Sequence, residues 1–256
     1  MDFLRDTWYL FVRLLRATVR MPVFVLISVV QPILWVVLFG QLFGAVARLP
    51  GFEAGSYVQY LAPGIAIMTA LFGAAYSGMG LLGDMERGVL DRFLATPVSR
   101  GALIASRILH SGLQVSLQAG IILAVAALLG ARPHGGLPGL VALLLAAALL
   151  GAAFAAFSNA LALLARRQEL IIAVMNFIVL PTTFLSTMMM SVHLMPGWIR
   201  GVSRFNPVNW AVVAARDGFE GRAFPELALR LGLLALFALA CALFATSAFG
   251  RYRRSM

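Results

Sequence analysis

The chain of 256 residues is 61% hydrophobic and 12% charged, with a mean hydropathy of +0.92, whereas about a quarter of the residues in a soluble domain are charged. This composition excludes a soluble globular protein, and the net charge of +10 comes from arginines beside apolar runs, which favours contact with membrane lipid over nucleic acid. All twenty basic residues are arginine, so an ordinary GxxxxGK[ST] phosphate-binding loop is excluded, and any ATP that powers this chain must be bound by a partner.

The first predicted element is an amphipathic helix over residues 1–21. Its charged residues fall on one helical face and its apolar residues fill the opposite face. A helix of this kind lies in the plane of the membrane interface, with arginine directed toward lipid phosphate. The residues that we expect at this interface are Arg5, Trp8, Arg13, Arg16 and Arg20.

Six apolar runs follow that are long enough to cross a bilayer, which takes about 20 helical residues. They cover residues 22–46, 57–82, 102–130, 138–165, 170–190 and 225–250. The first run is too long for the core of a cleaved signal peptide, so we interpret it as a crossing. Six crossings place both termini on one side, and thirteen of the twenty arginines share that side. The positive-inside rule therefore predicts cytoplasmic termini.

Residues 83–100, on the inner side between crossings two and three, combine three acids with three arginines. Val89, Leu90, Phe93 and Leu94 recur at helical spacing within this stretch, and Pro97 would end the helix. The pattern predicts a short amphipathic helix on the inner face of the membrane. Two interpretations fit it: a solvated loop that orients the protein, or a helix that docks into a groove of a soluble partner.

The segment 191–224 is too short for two crossings and too apolar for a polar loop. It reads as two short helices separated at Asn206-Pro207, with Trp198 and Trp210 at interfacial depth. Backbone at membrane depth must be buried in protein or line a wet cavity. We therefore predict a broken, re-entrant element on the outer side.

Crossing three carries polar side chains at helical spacing. Polar groups in lipid pair with neighbouring helices, so hydrogen bonding between helices is favoured over a substrate role. These residues are Arg107, Ser111, Gln114 and Gln118. The three histidines lie in different segments without a metal-ligand spacing, so we expect no metal site.

Several of these stretches resemble the ABC-2 type transport permeases. DMERGVLDRFLATPVSR, residues 84–100, is similar to the first cytoplasmic loop of that family, and the resemblance extends through nearly the whole chain in order. The other similar stretches are Ala62-Pro63-Gly64, Met195-Pro196-Gly197-Trp198 and Asn206-Pro207-Val208-Asn209-Trp210. The daunorubicin/doxorubicin-resistance permeases are the most similar group, but they tend to have Arg-Ser-Leu-Pro where this chain has Leu94-Ala95-Thr96-Pro97, so their substrate is not carried over.

The resemblance implies an all-α polytopic fold of the type V exporters, in which residues 1–256 form one transmembrane domain. This domain has six transmembrane helices, an N-terminal connecting helix, a cytoplasmic coupling helix at 83–100 and outer re-entrant helices at 191–224. The implied location is the bacterial inner membrane, and the implied partners are membrane lipid, a second permease protomer and two copies of an ATP-binding subunit. That subunit would bind ATP and Mg, so the chain itself would hold no cofactor and would not be an enzyme. The residues implied to contact the subunit are Asp84, Glu86, Arg87, Gly88, Leu90, Asp91, Arg92, Phe93 and Pro97.

The family also implies a substrate path between protomers, faced by crossings two and five. Methionine and aromatic side chains adapt to varied apolar substrates, although ordinary helix packing explains each such residue as well. The path candidates are Met68, Thr69, Phe72, Tyr76, Met175, Asn176, Thr183, Ser186 and Thr187. Crossing five also continues into a run of methionines, Met188-Met189-Met190.

Two other functions are alternatives for a protein of this class. An ion-coupled secondary transporter would place carboxylates inside the membrane, but Asp84 and Glu169 mark only the inner edges of the crossings. An intramembrane serine protease is suggested by Ala75-Tyr76-Ser77-Gly78, which lacks the first glycine of a Gly-x-Ser-Gly motif and has no histidine at mid-membrane. The resemblance to the ABC-2 permeases implies instead ATP-driven export of a hydrophobic drug, lipid or lipid-linked glycan.

Overall fold

The computed structural model describes residues 3–45, 56–94, 99–188, 192, 195–222 and 224–254. Within these ranges the chain is nearly all helical, as the sequence predicts. The helices are α1 (Phe3–Val19), α2 (Pro22–Leu42), α3 (Tyr57–Ala75), α4 (Ser77–Glu86), α5 (Val89–Leu94), α6 (Arg100–Leu128), α7 (Gly136–Ala165), α8 (Gln168–Phe184), α9 (Gly197–Ser203), α10 (Pro207–Glu220) and α11 (Phe224–Arg254).

Four helical stretches of the described chain are long and apolar enough to cross a membrane. They are Tyr57–Glu86, Gly101–Leu128, Gly136–Ala165 and Pro225–Tyr252, and they coincide with predicted crossings two, three, four and six. Two shorter apolar helices, Leu26–Leu42 and Gln168–Phe184, coincide with crossings one and five. α8 has 17 residues, which gives a length of about 26 Å. It ends at Phe184, before the predicted limit of crossing five at residue 190.

The helices run back and forth between two ends of the molecule. At one end, which we call the Asp84 end, Leu10 of α1 and Phe249 of α11 line the same small cavity as Asp84. We call the opposite end the Asn209 end. The start of α7 and the last turn of α10 meet there, because the backbone N–H of Gly135 donates to the carbonyl of Phe219 at 3.1 Å. The first and last described helices therefore meet at the Asp84 end.

Helix α7 is the central helix of the fold and packs against α3, α4, α6, α8, α10 and α11. Its sequence is rich in alanine and glycine, and small residues let helix backbones approach closely where lipid provides no hydrophobic drive. The N–H of Gly78 in α4 donates to Ser158 Oγ of α7 at 3.0 Å. A Cβ at Gly139 of α7 would overlap the carbonyl of Gly218 in α10. Both neighbours therefore lie nearly in backbone contact with α7.

The helix break predicted at Asn206-Pro207 is present. α9 ends at Ser203, and the Asn206 side chain then accepts a hydrogen bond from the N–H of Val208 at 2.9 Å, which caps α10. The amide nitrogen of Asn206 donates to the carbonyls of Thr182 and Leu185 at 2.6 and 3.1 Å. The break therefore also closes the last turn of α8.

Crossing two is interrupted, which the sequence did not predict. α3 ends at Ala75 and α4 begins at Ser77, with Tyr76 between them at φ −102° and ψ 11°. Asn159 Nδ2 of α7 donates to Ser77 Oγ at 3.3 Å, and Ser77 Oγ lies 3.3 Å from the carbonyl of Ala155. Polar groups of α7 therefore support the chain directly after the break.

Replacing Gly78 by alanine should destabilise the fold, because the new Cβ would overlap the Ser158 carbonyl. Overpacking of this kind costs about 1–3 kcal/mol. The matched control is Gly120→Ala in α6, where a Cβ meets open space and alanine gains about 0.5–1 kcal/mol of helix propensity. Thermal unfolding in detergent should show a lower midpoint for Gly78→Ala and an unchanged or higher one for Gly120→Ala; equal midpoints would contradict the close packing.

Candidate functional site

The charged segment, residues 83–94, lies at the Asp84 end. It comprises the end of α4, a turn, and the whole of α5. Residues 83–86 complete α4, so the single amphipathic helix predicted from residue 84 onward is corrected to the end of one helix and a second helix, α5. Gly88 joins them at φ +65°, a left-handed conformation that favours glycine, and its N–H donates to the carbonyl of Met85 at 2.9 Å. Gly88 is therefore needed for the turn itself.

Asp84 is the best buried acid of the segment, with 7% of its surface exposed. Its carboxylate accepts hydrogen bonds from three arginines: Arg107 of α6, Arg87 at 3.4 Å and Arg13 of α1 at 3.5 Å. A buried carboxylate is tolerated only when it is paired and hydrogen-bonded, and the three guanidiniums provide both. Asp84 therefore joins α1, α4 and α6 from inside the chain.

The apolar residues of α5 anchor the segment to the rest of the protein. Leu90 is 2% exposed, and the Phe93 ring is partly covered by the Arg13 guanidinium, whose carbon lies 4.9 Å from the ring centroid. Leu90 and Phe93 border the small cavity that Phe249 of α11 also lines. One face of α5 is therefore directed into the protein, toward a cavity that α1, α6 and α11 also line.

The opposite face of the segment points away from the protein. Glu86, Arg87, Asp91 and Arg92 are all exposed, and together they form a surface of mixed charge. Of the residues predicted to contact a partner, Asp84 and Leu90 are turned inward. Arg87 is exposed although its guanidinium also bonds to Asp84 at 3.4 Å. Pro97 lies outside the described residues.

Helix α1 contacts both the charged segment and α6. Asp6 Oδ2 accepts from the N–H of Ser99 at 3.1 Å, and Thr18 Oγ1 lies 2.8 Å from His110 Nε2. Arg13, which was predicted to face lipid phosphate, is exposed and also bonds to Asp84 at 3.5 Å and covers the Phe93 ring. The other predicted interface residues, Arg5, Trp8, Arg16 and Arg20, are exposed.

The predicted path residues fall into two groups. In mid-bundle, Tyr76 Oη donates to Asn176 Oδ1 of α8 at 2.7 Å, which joins the break in crossing two to crossing five. Met68 and Phe72 lie nearby along α3 and are half-buried, whereas Thr69 donates to its own helix carbonyl at Ile65. Met175 is fully buried in the core.

The second group lies buried at the Asn209 end. Thr187 Oγ1 donates to Asn209 Oδ1 at 2.8 Å, and Ser186 Oγ donates to the carbonyl of Thr183 at 2.6 Å. The Thr187 carbonyl in turn accepts from Tyr60 Oη and from Arg216 Nη2, both at 3.1 Å. The structure therefore places Thr183, Ser186 and Thr187 in a polar network of the fold. Met189, Met190 and His193 lie outside the described residues.

The prediction that crossing three makes hydrogen bonds between helices is confirmed for Arg107 and Gln118. Arg107 bonds to Asp84 of α4, and Gln118 Nε2 donates to Ser28 Oγ of α2 at 2.9 Å. Sequence reasoning missed Arg216, whose guanidinium carbon lies 3.8 Å from the centroid of the Tyr60 ring. The crowding of arginines after residue 199 was the available signal.

Comparison with known proteins gives one family. The family model of the ABC-2 type transporter matches residues 5–219. The chain is 28% identical to the daunorubicin resistance ABC transporter permease protein DrrB1 of Streptomyces coeruleorubidus, over 88% of this chain and 81% of that protein. It is 28% identical to a protein of Mycobacterium tuberculosis (strain CDC 1551 / Oshkosh) named "Probable doxorubicin resistance ABC transporter permease protein DrrC", over 95% of this chain and 86% of the relative. It is 26% identical to the inner membrane transport permease YadH of Escherichia coli (strain K12), over 83% and 81% of the two chains.

Replacing Asp84 by asparagine should strongly destabilise the protein, because Arg107 would keep its buried charge without a carboxylate. Breaking a buried pair in this way costs about 3–5 kcal/mol. The control is Glu86→Gln on the exposed face two residues away, which should leave the thermal midpoint in detergent within a degree or two of the original. The double variant Asp84→Asn with Arg107→Met should recover part of the loss, and an unchanged midpoint for Asp84→Asn alone would refute the role of the ion cluster.

Proposed function

The chain belongs to the ABC-2 type transporter family, and from that premise we propose that it is the membrane-spanning permease subunit of an ATP-driven exporter. Its cargo would be a hydrophobic drug, a lipid or a lipid-linked glycan. The observation that carries the proposal is the family match over residues 5–219, which includes α1, the charged segment and α10. The names of two relatives, drug-resistance ABC transporter permeases, agree with it.

The energy source in this proposal is a separate ATP-binding subunit. The chain has no lysine and hence no ordinary phosphate-binding loop, so ATP and Mg would be held by that subunit, present in two copies. A second permease protomer would complete the transporter, either identical to this chain or different from it. The permease itself would catalyse no reaction.

The proposed orientation places the Asp84 end in the cytoplasm of a bacterium and all six apolar helices across its inner membrane. Three observations support it: α1 and the end of α11 meet at the Asp84 end, thirteen arginines then lie on that side, and one relative is named an inner membrane permease. α9 and α10 would then form the outer re-entrant element.

The exposed face of the charged segment is the proposed docking surface for the ATP-binding subunit. Glu86, Arg87, Asp91 and Arg92 would make the polar contacts, while Leu90 and Phe93 hold the segment to the permease. When ATP draws the two subunits together, their motion would press on α5. The Asp84 ion cluster would pass that force directly to α1, α4 and α6, because all three contribute a charged side chain to it.

The proposed substrate path follows crossings two and five near Tyr76. The Tyr76–Asn176 hydrogen bond joins α8 to the point where α3 gives way to α4, so a shift of α4 would change the surface that these helices present. Met68 and Phe72 would offer adaptable apolar contacts on the same stretch. The residues buried at the Asn209 end would shape the outer end of the path.

The function is tested by reconstitution. The permease is purified with a candidate ATP-binding subunit and placed in proteoliposomes, and export is followed with a fluorescent anthracycline and with a fluorescent lipid. We expect ATP-dependent transport that stops when the catalytic residues of the ATP-binding subunit are inactivated. Cargo movement by the permease alone, driven by an ion gradient, would favour a secondary transporter instead.

Charge reversal on the exposed face, Glu86→Arg or Asp91→Arg, should uncouple ATP hydrolysis from export. We expect at least a tenfold loss of transport per ATP hydrolysed, since like charges would meet at a surface built for opposite ones. The measurement compares ATPase and transport rates in the same proteoliposomes. Glu169→Arg is the matched control, because Glu169 is also an exposed acid at the Asp84 end but belongs to α8. Normal coupling in both test variants would contradict the docking surface.

Removing one hydroxyl group at the break, Tyr76→Phe, should change substrate preference with little effect on stability. The variant loses the hydrogen bond to Asn176 but keeps the ring, a change of about 1 kcal/mol. Half-saturating concentrations for several cargoes should shift by a few-fold and by different factors. Tyr9→Phe on the exposed side of α1 is the control and should leave every value unchanged.

A further inference from the structure

A cavity of about 570 Å³ opens at the Asn209 end, between α9, α10 and α11. Its described lining includes five arginines and two acids, an excess of three positive charges. Arginine is the side chain best suited to phosphate, because its planar guanidinium donates two parallel hydrogen bonds. We propose that this cavity binds the phosphate head group of an anionic amphiphile. The charged residues concerned are Arg200, Arg204, Arg216, Arg222, Arg230, Asp217 and Glu220.

The acids of the cavity neutralise only part of this charge. Arg230 pairs with Asp217 at 2.5 Å and with Glu226, which lies outside the cavity lining, at 3.5 Å, and Arg222 pairs with Glu220 at 3.1 Å. Among the described residues, no carboxylate oxygen lies within 4.0 Å of the side-chain nitrogens of the other three arginines. The wall therefore has more guanidinium groups than carboxylates, and it borders an open cavity that can admit an anion from outside the protein.

Arg216 gives the strongest indication, because its half-buried guanidinium is incompletely hydrogen-bonded. Its Nη2 donates to the carbonyl of Thr187 and its guanidinium lies over the Tyr60 ring, but its buried Nε has no hydrogen-bond partner. The Thr187 carbonyl and the Tyr60 ring are neutral, so neither balances the positive charge of Arg216. A charge that is shielded from water without an ion-pair partner is costly. An anion in the cavity would supply the missing counter-charge.

The other wall of the cavity explains why the ligand should carry an acyl chain. Leu229 and Leu233 of α11 line it, and Leu229 is 65% exposed on the outer surface of a helix that is apolar enough to cross the membrane. Charged and apolar walls therefore meet at one opening. The phosphate head group of a lipid would bind the arginines while the acyl chain of the same lipid packs along α11. A free phosphate ion would make no apolar contact with the two leucines.

Trp210 lies on the cavity wall and can report occupancy. The experiment uses the full-length permease alone in phosphatidylcholine nanodiscs, with Trp8, Trp35 and Trp198 replaced by phenylalanine. Brominated phosphatidylglycerol and brominated phosphatidylcholine are then compared as quenchers of Trp210 fluorescence. Binding is measured without ATP or the ATP-binding subunit, so the result is independent of the proposed export function.

We expect phosphatidylglycerol to quench Trp210 at about a tenfold lower lipid fraction than phosphatidylcholine, because its head group has a net negative charge whereas choline offsets the phosphate charge of phosphatidylcholine. Arg216→Gln should abolish that preference, and Arg204→Gln, which changes an exposed side chain and should not affect folding, should reduce it. Arg251→Gln, an exposed arginine at the Asp84 end, is the matched control and should keep it. Equal preference in Arg204→Gln, Arg216→Gln and the original protein would overturn the proposal.

A separate arm tests the source of the phosphate. Inorganic phosphate is added in nanodiscs that contain only phosphatidylcholine, and Trp210 fluorescence is followed. An Arg216-dependent response to inorganic phosphate, with no preference for phosphatidylglycerol, would assign the cavity to a free anion and overturn the amphiphile. A response to the lipid alone would support it.

Discussion

One buried carboxylate, that of Asp84, ties together parts of the chain that are remote in sequence. Its three arginine partners come from α1, from the turn after α4 and from α6, so the ion cluster fixes these elements in a single geometry. The exposed charges of the neighbouring segment are presented on this support. A surface that has to receive force from a partner needs a rigid base, and a buried carboxylate that accepts hydrogen bonds from three arginines provides one.

Helix α7 determines how far such a force can travel. Its small residues place α4 and α10 almost in backbone contact with it, so neither neighbour can slide along α7 without a steric clash. Motion that starts at the Asp84 end would therefore move these helices as one body. In the proposed mechanism the connection that can change is the one between α3 and α8, where Tyr76 donates a hydrogen bond to Asn176.

The sequence was sufficient for features that local patterns record. Apolar runs located the long helices, and Asn206-Pro207 located the break between α9 and α10, because proline and a capping side chain act on their own neighbours. The inward turn of Asp84 could not be predicted, since Arg13 lies 71 residues away and a carboxylate in a charged run normally faces water. The interruption at Tyr76 was missed for a related reason: its support comes from Ala155 and Asn159 of α7, which no periodicity in crossing two reveals.

Because all twenty basic residues are arginine, their positive charges are harder to remove by deprotonation or covalent modification than those of lysine would be. A guanidinium keeps its proton throughout the pH range of living cells and is not a substrate for acetyl transfer, whereas a lysine amine is open to acetylation, methylation and ubiquitination. No side-chain amine exists in these 256 residues, so enzymes that modify lysine have nothing to act on along the side chains. The positive charges at both ends are thus insulated from the commonest covalent modifications of basic residues.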